Sequence, residues 1–395
     1  MLMVLPVVEL RNQKRLVAVN CCMKSTVLSA LVVTFSLVGD TLLYPVLPSY
    51  AFVLGVPVIW IGFLLSVNRF TRLLLNPWVA KLYQRHNSRN LMVLAAILAV
   101  FSTLLYGLAS HITFWIVARL IWAVSFSMLR LGSIYYALDS KKKGLSLGLN
   151  KGIQEAGPLL AMIAGPFCLQ FISVQATFLV FALLTSLAVL IAMLLPVLIV
   201  PPATNGSAFR LKPSAFNTLI FLVAFSVDGL LVVIVGKLLD SGQSLPEIAA
   251  LAAFYLMIRR LVIIGLSPVT GLLADRWGIR QVFLGAVFLT AIGFTILIAG
   301  FFIPALLLIF VAAGSAMSLA PAGSNGEPGQ LFREVAITTN WRDAGAALGA
   351  LIGGMLYHTQ FIHPVLILLT VSLFLTTINY GLTTKKVTFK SIPWK

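Results

Sequence analysis

Twelve apolar stretches of about twenty or more residues follow one another along nearly the whole chain, and they constrain it more than any other feature. They occupy residues 25–50, 57–80, 90–109, 112–136, 148–171, 176–200, 214–239, 247–273, 280–300, 303–322, 335–357 and 363–383. A helix of ~20 apolar residues matches the ~30 Å hydrocarbon core of a bilayer. In that core no water satisfies stray backbone N–H and C=O groups, so a single run crosses as an α-helix. The connections, such as 140–144, 201–213 and 323–329, are short and polar or marked by Pro and Gly. With 60% hydrophobic and 10% charged residues and a mean hydropathy of +1.02, the chain lies outside the range of soluble globules and of disordered chains. The expectation is an all-α integral membrane protein with twelve transmembrane helices.

Charge position gives the orientation. The net charge is +17, from 28 Lys and Arg against 11 Asp and Glu. Twenty of the 28 fall in residues 11–24, 81–89, 141–151, 210–212, 276–280, 333 and 385–395, all on one side once the N-terminus is placed there. The other side shows only Lys237, and seven arginines lie inside the apolar stretches. Basic residues collect on the cytoplasmic side of membrane proteins, so both termini are expected to be cytoplasmic. Basic residues spread over seven short segments also argue against nucleic acid as a partner, which calls for one patch. Residues 1–10 are apolar but too short for a cleaved signal, and an uncleaved cytoplasmic N-terminal segment, 1–24, is expected.

No enzyme constellation is present: there is no His-Glu-x-x-His, no Gly-x-Ser-x-Gly and no phosphate-cradling Gly-x4-Gly-Lys-Ser/Thr. Cys21, Cys22 and Cys168 give neither a disulfide framework nor a zinc spacing, and His86, His111, His358 and His363 sit apart at helix ends. Neither a metal nor another cofactor is expected.

The chain repeats itself at an offset of 188 residues. Asp40 maps onto Asp228, Arg72 onto Arg260 and Glu155 onto Asp343, and Glu155-Ala-Gly157 recurs as Asp343-Ala-Gly345. Two homologous six-helix bundles in parallel arrangement follow, 25–200 and 214–384, joined by a cytoplasmic linker, 201–213, and followed by a tail, 385–395.

The turn after the eighth stretch carries Pro268, Gly271, Asp275, Arg276, Gly278 and Arg280. This resembles the Gly-x-x-x-Asp-Arg-x-Gly signature of the major facilitator superfamily, at the turn where that family has it. The matching turn of the first half keeps Pro77, Arg85 and Arg89 but has Ala80, Gln84 and Asn87 in place of Gly, Asp and Gly, so the latch that the family's Asp forms there is in doubt. In helix 4, Arg119-Leu-Ile-Trp122-Ala123 is similar to a pattern of proton-coupled members, with Trp and Ala replacing Gln and Gly. Gly152, Gly157-Pro158 and Gly165-Pro166 resemble the Gly/Pro-rich fifth helix of the family's antiporters, and Gly345, Gly349, Gly353 and Gly354 form a small-residue series that favours close helix packing.

The resemblance implies the major facilitator fold, two pseudo-symmetric six-helix bundles, and a monomeric secondary active transporter in lipid that moves a small molecule by alternating access with protons. It implies gating roles for Gly271, Asp275, Arg276, Arg280 and Arg85, with Glu155 and Asp343 as a structural or gating pair. An intramembrane ionisable group costs at least ~2.5–3.5 kcal/mol on insertion scales, which makes the buried charges functional candidates. Asp40 and Asp228 are the expected proton-coupling acids, facing each other across the transport path. Arg72 and Arg260, with Arg69, Arg119 and Tyr44, are the expected substrate contacts, suited to an anionic solute. The competing reading pairs acids with neighbouring cations, Asp343 with Arg342, Glu155 with Lys151, or any of the acids with the arginines of helices 2, 4 and 8. The leading expectation is proton-coupled export of a metabolite or drug across a bacterial inner membrane. The alternatives are proton-coupled uptake of an anionic nutrient or metal-chelating carboxylate and, in another class, a non-transporting membrane sensor or channel.

Overall fold

A computed structural model describes residues 5–50, 52–57, 59–109, 111–198, 213–239, 245–323, 331–356 and 359–383. Twelve long helices account for almost all of them, with no strand among the described residues. They are α1 (Leu5–Tyr50), α2 (Ile59–Arg85), α3 (Ser88–Leu108), α4 (Ile112–Leu138), α5 (Lys143–Leu169), α6 (Val174–Met193), α7 (Ala215–Leu238), α8 (Leu245–Trp277), α9 (Ile279–Ile298), α10 (Phe302–Leu319), α11 (Leu331–Leu356) and α12 (Ile362–Thr383). Each answers to one apolar stretch of the sequence. The largest difference is α1, which begins twenty residues before its apolar run at 25 because Pro6 sits in the first turn, where proline is tolerated, and no proline or glycine follows before that run. An even number of crossings puts the start of α1 and the end of α12 on the same side, the termini face.

Ten of the twelve helices are apolar enough over an 18-residue window to count as spans by composition alone. The two that are not, α2 and α11, carry Asn68, Arg69, Arg72, Asn76 and Lys81, and Arg333, Glu334, Arg342 and Asp343 respectively. The polar residues in the middle of these two helices are buried against protein rather than lipid: Asn68, Asn76, Asn340, Arg72 and Asp343 are all below 9% exposed.

Each half buries its own aromatic core. In the N-terminal half one cluster gathers around Tyr83, Trp122 and Tyr136 and another around Trp115, Tyr106 and Phe178, where the Tyr106 and Trp115 rings stack 5.4 Å apart. In the C-terminal half Phe283, Phe294, Phe310 and Leu373 form a single core. Glycines set how closely the helices approach. Gly157 of α5 lies against the Thr34 carbonyl of α1 and Gly165 against Leu42. Their mates at the 188-residue offset, Gly345 and Gly353 of α11, lie against the Phe221 carbonyl and the Leu230–Val233 stretch of α7. The repeat read from charged residues is therefore repeated in the packing. A methyl group at Gly157 or Gly345 would run into backbone, so neither tolerates even alanine without the helices moving apart.

Two local features bear on the site. Residues Ala224–Leu231 of α7 are π-helical, with Asp228 and Gly229 inside that segment. Between α8 and α9 the chain turns at Gly278, whose φ of 95° is one that L side chains rarely adopt.

Candidate functional site

Helices α8 and α11 each present two charged residues in succession, Arg259-Arg260 and Arg342-Asp343. Consecutive helical residues point ~100° apart, so one member of each pair faces its own half and the other faces the opposite half. Arg259 and Arg342 turn inward to Asp228 of α7: Arg259 bonds to Oδ1, while Arg342 donates to Oδ2 from Nε at 3.3 Å and Nη2 at 3.1 Å. Arg260 and Asp343 reach across. Arg260 donates to Glu155 Oε2 of α5 at 2.6 Å, and the other oxygen of Glu155 takes Lys151, one turn earlier on the same helix. Asp343 Oδ1 accepts from Arg130 of α4 at 2.7 Å. Its Oδ2 lies 3.3 Å from Arg72 Nε of α2, close enough for an ion pair but without hydrogen-bond alignment. The Arg72 guanidinium also covers the Phe126 ring at 4.8 Å.

These pairs form two crossing arms related by the repeat. Arg260 and Glu155 join α8 to α5, and Arg72 and Asp343 join α2 to α11. One turn closer to the termini face the arms differ. Asn76 Nδ2 donates to Asn340 Oδ1 at 2.7 Å, and Asn340 Nδ2 donates to the Leu73 carbonyl at 3.0 Å. The mates of these residues are Ile264 and Gly152, where a bare α-carbon lets α5 lie directly on the Ile264 carbonyl.

The α5–α8 seam continues through Gly148 against the Ser267 carbonyl to Gly144 and Gly271, each pressed on the other's carbonyl. At its end Asp275 accepts from the N–H of Gly144 at 2.8 Å and of Leu145 at 2.9 Å. These are the orphan donors of a helix start, and Lys142, the cap residue of α5, supplies no side-chain bond to them. The cap of α5 is thus provided by the other half of the protein, and its negative charge suits the positive end of the helix dipole. Arg280 holds the neighbouring corner by donating to the Tyr380 and Gly381 carbonyls at the end of α12, at 3.3 and 3.2 Å. Arg85 and Arg276 lie exposed in the last turns of α2 and α8.

Asp40 stands apart from this network. It pairs with Arg119 of α4, which is fully buried and also donates to the Leu64 carbonyl at 2.7 Å, the Leu65 carbonyl at 3.4 Å and the Tyr106 hydroxyl at 3.2 Å. The Tyr44 ring lies 5.9 Å from the same guanidinium. Arg69 is half-buried and takes no part in an ion pair among the described residues.

Several expectations are changed by this placement. Asp40 and Asp228 are each held by arginines of their own half, Asp40 by Arg119 and Asp228 by Arg259 and Arg342. Arg72, Arg260 and Arg119 are engaged by carboxylates rather than standing free. Asp343 does not pair with Arg342, since adjacent residues diverge around the helix, whereas Glu155 and Lys151, four apart, do meet. Sequence reasoning missed the Asn76–Asn340 contact, for which no pattern existed, and the Gly144–Gly148–Gly152 stripe on α5, which its four-residue spacing would have revealed.

Among curated proteins none matches this sequence. Solved structures match in shape over nearly their full length. The human organic anion transporter MFSD10 superposes with a TM-score of 0.76 at 15% identity, covering 90% of this chain and 99% of that one. A bacterial homologue of the iron transporter ferroportin in an outward-facing state gives 0.70 at 14% identity, with 91% and 98% covered. The Escherichia coli fucose:proton symporter gives 0.70 at 13%, with 92% and 99% covered. The family model of the Major Facilitator Superfamily matches residues 29–236. Twelve helices in two repeated bundles, the signature turn at Asp275 and this match together make the chain a member of the Major Facilitator Superfamily.

Proposed function

We propose that this protein is a monomeric secondary active transporter that carries an anionic organic solute by alternating access, coupled to protons, with the termini face in the cytoplasm. The charge balance between the halves carries the anion reading. Arg72, Arg130, Lys151, Arg259, Arg260 and Arg342 converge on Glu155, Asp228 and Asp343, six cations on three carboxylates. Each uncompensated charge near the bilayer centre costs at least ~2.5–3.5 kcal/mol on insertion scales, and a negatively charged solute recovers part of that cost where a cation adds to it. The shape shared with a human organic anion transporter is in keeping with such a cargo.

The crossing arms, the glycine seam and the Asp275 cap serve as the closure on the cytoplasmic side. Opening there breaks three ion pairs, Arg72 and Arg130 with Asp343 and Arg260 with Glu155, so the closed state waits for a compensating ligand or proton. Asp40 and Asp228 are the acids offered for protons; neutralised, Asp40 would release Arg119 and Asp228 would release Arg259 and Arg342. Export of a neutral metabolite or drug is the second reading, favoured by Asp40 lying outside the inter-half cluster. Purified protein in proteoliposomes, given an imposed pH gradient and a panel of anionic, neutral and cationic solutes, tests both. Gradient-driven accumulation of anions is expected, and preferential transport of cations would overturn the anion reading.

A further inference from the structure

We infer that the solute is multivalent, bearing at least two anionic groups like those of a di- or tricarboxylate or a phosphate ester, and that it binds by taking Arg72 and Arg260 over from Asp343 and Glu155. The inference rests on the anion-carrier reading above and adds valence and mode of binding to it.

Three observations carry it. The crossing arms are repeat mates that run in opposite senses, so each half offers one guanidinium to whatever lies between them. A two-ended anion engages both forks, and a singly charged one engages one. The charge excess also selects valence: with six cations on three carboxylates, a monoanion leaves two positive charges uncompensated, while a dianion or trianion leaves one or none. Finally, neither carboxylate is stranded by the exchange. When a ligand takes Arg260, Glu155 keeps Lys151, and when it takes Arg72, Asp343 keeps Arg130. The internal carboxylates thus act as resident competitors, occupying the arginines until a ligand with enough charge displaces them.

The test is calorimetric binding of acetate, succinate, citrate, glycerol 3-phosphate and choline to the purified full-length protein at pH 7 and fixed ionic strength. Succinate, citrate or glycerol 3-phosphate is expected to bind at least tenfold more tightly than acetate. Arg72→Gln and Arg260→Gln should reduce that preference to near unity, while Lys81→Gln, on the exposed termini face, leaves it unchanged. Glu155→Gln and Asp343→Asn should each raise multivalent-anion affinity several-fold, an effect that a purely structural carboxylate would not give. Should Arg72→Gln fail to fold, Arg72→Gln combined with Asp343→Asn removes both charges together and should also lose the preference. Equal binding of acetate and the multivalent anions, or weaker binding in a folded Glu155→Gln protein, overturns this inference alone. Preference for choline, or no binding of any anion in the panel, overturns the anion-carrier reading with it.

Discussion

In the N-terminal half the acid of the first helix, Asp40, is closed into a wall of protein by one arginine, and that arginine spends its other donors on the Leu64 and Leu65 carbonyls and the Tyr106 hydroxyl. In the C-terminal half the repeat mate, Asp228, sits in a π-helical stretch and is shared by two arginines whose side chains stay 19% and 23% exposed. The residues that correspond to Arg259 and Arg342 are Thr71 and Gln154, and Gln154 belongs to a neutral buried network with Ser133 and Asn150. The duplicated scaffold has therefore kept these two acids and changed the cations that pair with them, while Arg72 and Arg260 stay in register. The N-terminal pair is sealed and local, and the C-terminal triad is contiguous along α8 and α11 with the arms that join the halves. π-Helical segments occur often at functional sites, which fits the more open of the two acids.

The largest expected effect would break this contrast. Arg119→Met leaves Asp40 buried with no cation, and removing one partner of a buried ion pair costs ~3–5 kcal/mol. Arg259→Met leaves Asp228 with Arg342 and should cost markedly less. Thermal unfolding of both variants in detergent checks the ranking, and equal losses would mean that Asp40 is no more isolated than Asp228.

Next in size is the seam. Gly148→Val drives a branched side chain into the Ser267 carbonyl, and overpacking of this kind costs ~1–3 kcal/mol. Because the strain falls between halves rather than inside one, it is expected to open the termini face more than to unfold the protein. Labelling of a cysteine placed at Ser267 should rise, while Gly354→Ala, a site with open space around it, should change nothing. A smaller loss is expected from Asp275→Ala, which strips α5 of a cap supplied by the other half; cap removal costs ~0.5–2 kcal/mol. Hydrogen exchange confined to the first turn of α5 would show it, and no local change would mean that water replaces the cap.

The smallest effect belongs to Asp139, an exposed residue just beyond the end of α4, whose carboxyl is pushed above its ordinary value by desolvation from the groups around it. An acid with a raised folded-state pKa binds its proton more tightly when folded, so its penalty is absent below the unfolded pKa and appears as pH rises through the folded one. Asp139→Asn should therefore raise the melting temperature slightly at pH 7 and not at pH 3. A gain of equal size at both would mean that charge is not the cause.

The helices and the halving of the chain were legible because hydropathy and repetition are properties of the sequence itself: α4 and α12 begin within a residue of their apolar stretches. The charged residues of the site were legible as a set, since an ionised group in an apolar run stands out. Their pairing was not. Whether Arg342 meets Asp343 or Asp228 depends on helix rotation, and whether Arg72 meets Asp40 of its own half or Asp343 of the other depends on how the bundles dock. Asp275 is the exception, because an acid at a turn beside another helix start has one evident chemical use, and the bonds to Gly144 and Leu145 match it.

The polarity of α2 has a consequence for how the protein is made. Chains enter the membrane from the N-terminus during synthesis. Asn76 and Arg130 are satisfied by Asn340 and Asp343, partners that lie 264 and 213 residues downstream. When α2 and α4 first meet lipid, those partners have not been synthesised, so the first bundle must wait, with its polar groups turned inward or held by water, until the second bundle arrives. Assembly of the halves is then the step that completes insertion, and a chain truncated before α11 should be a poor membrane protein even though it contains a whole bundle.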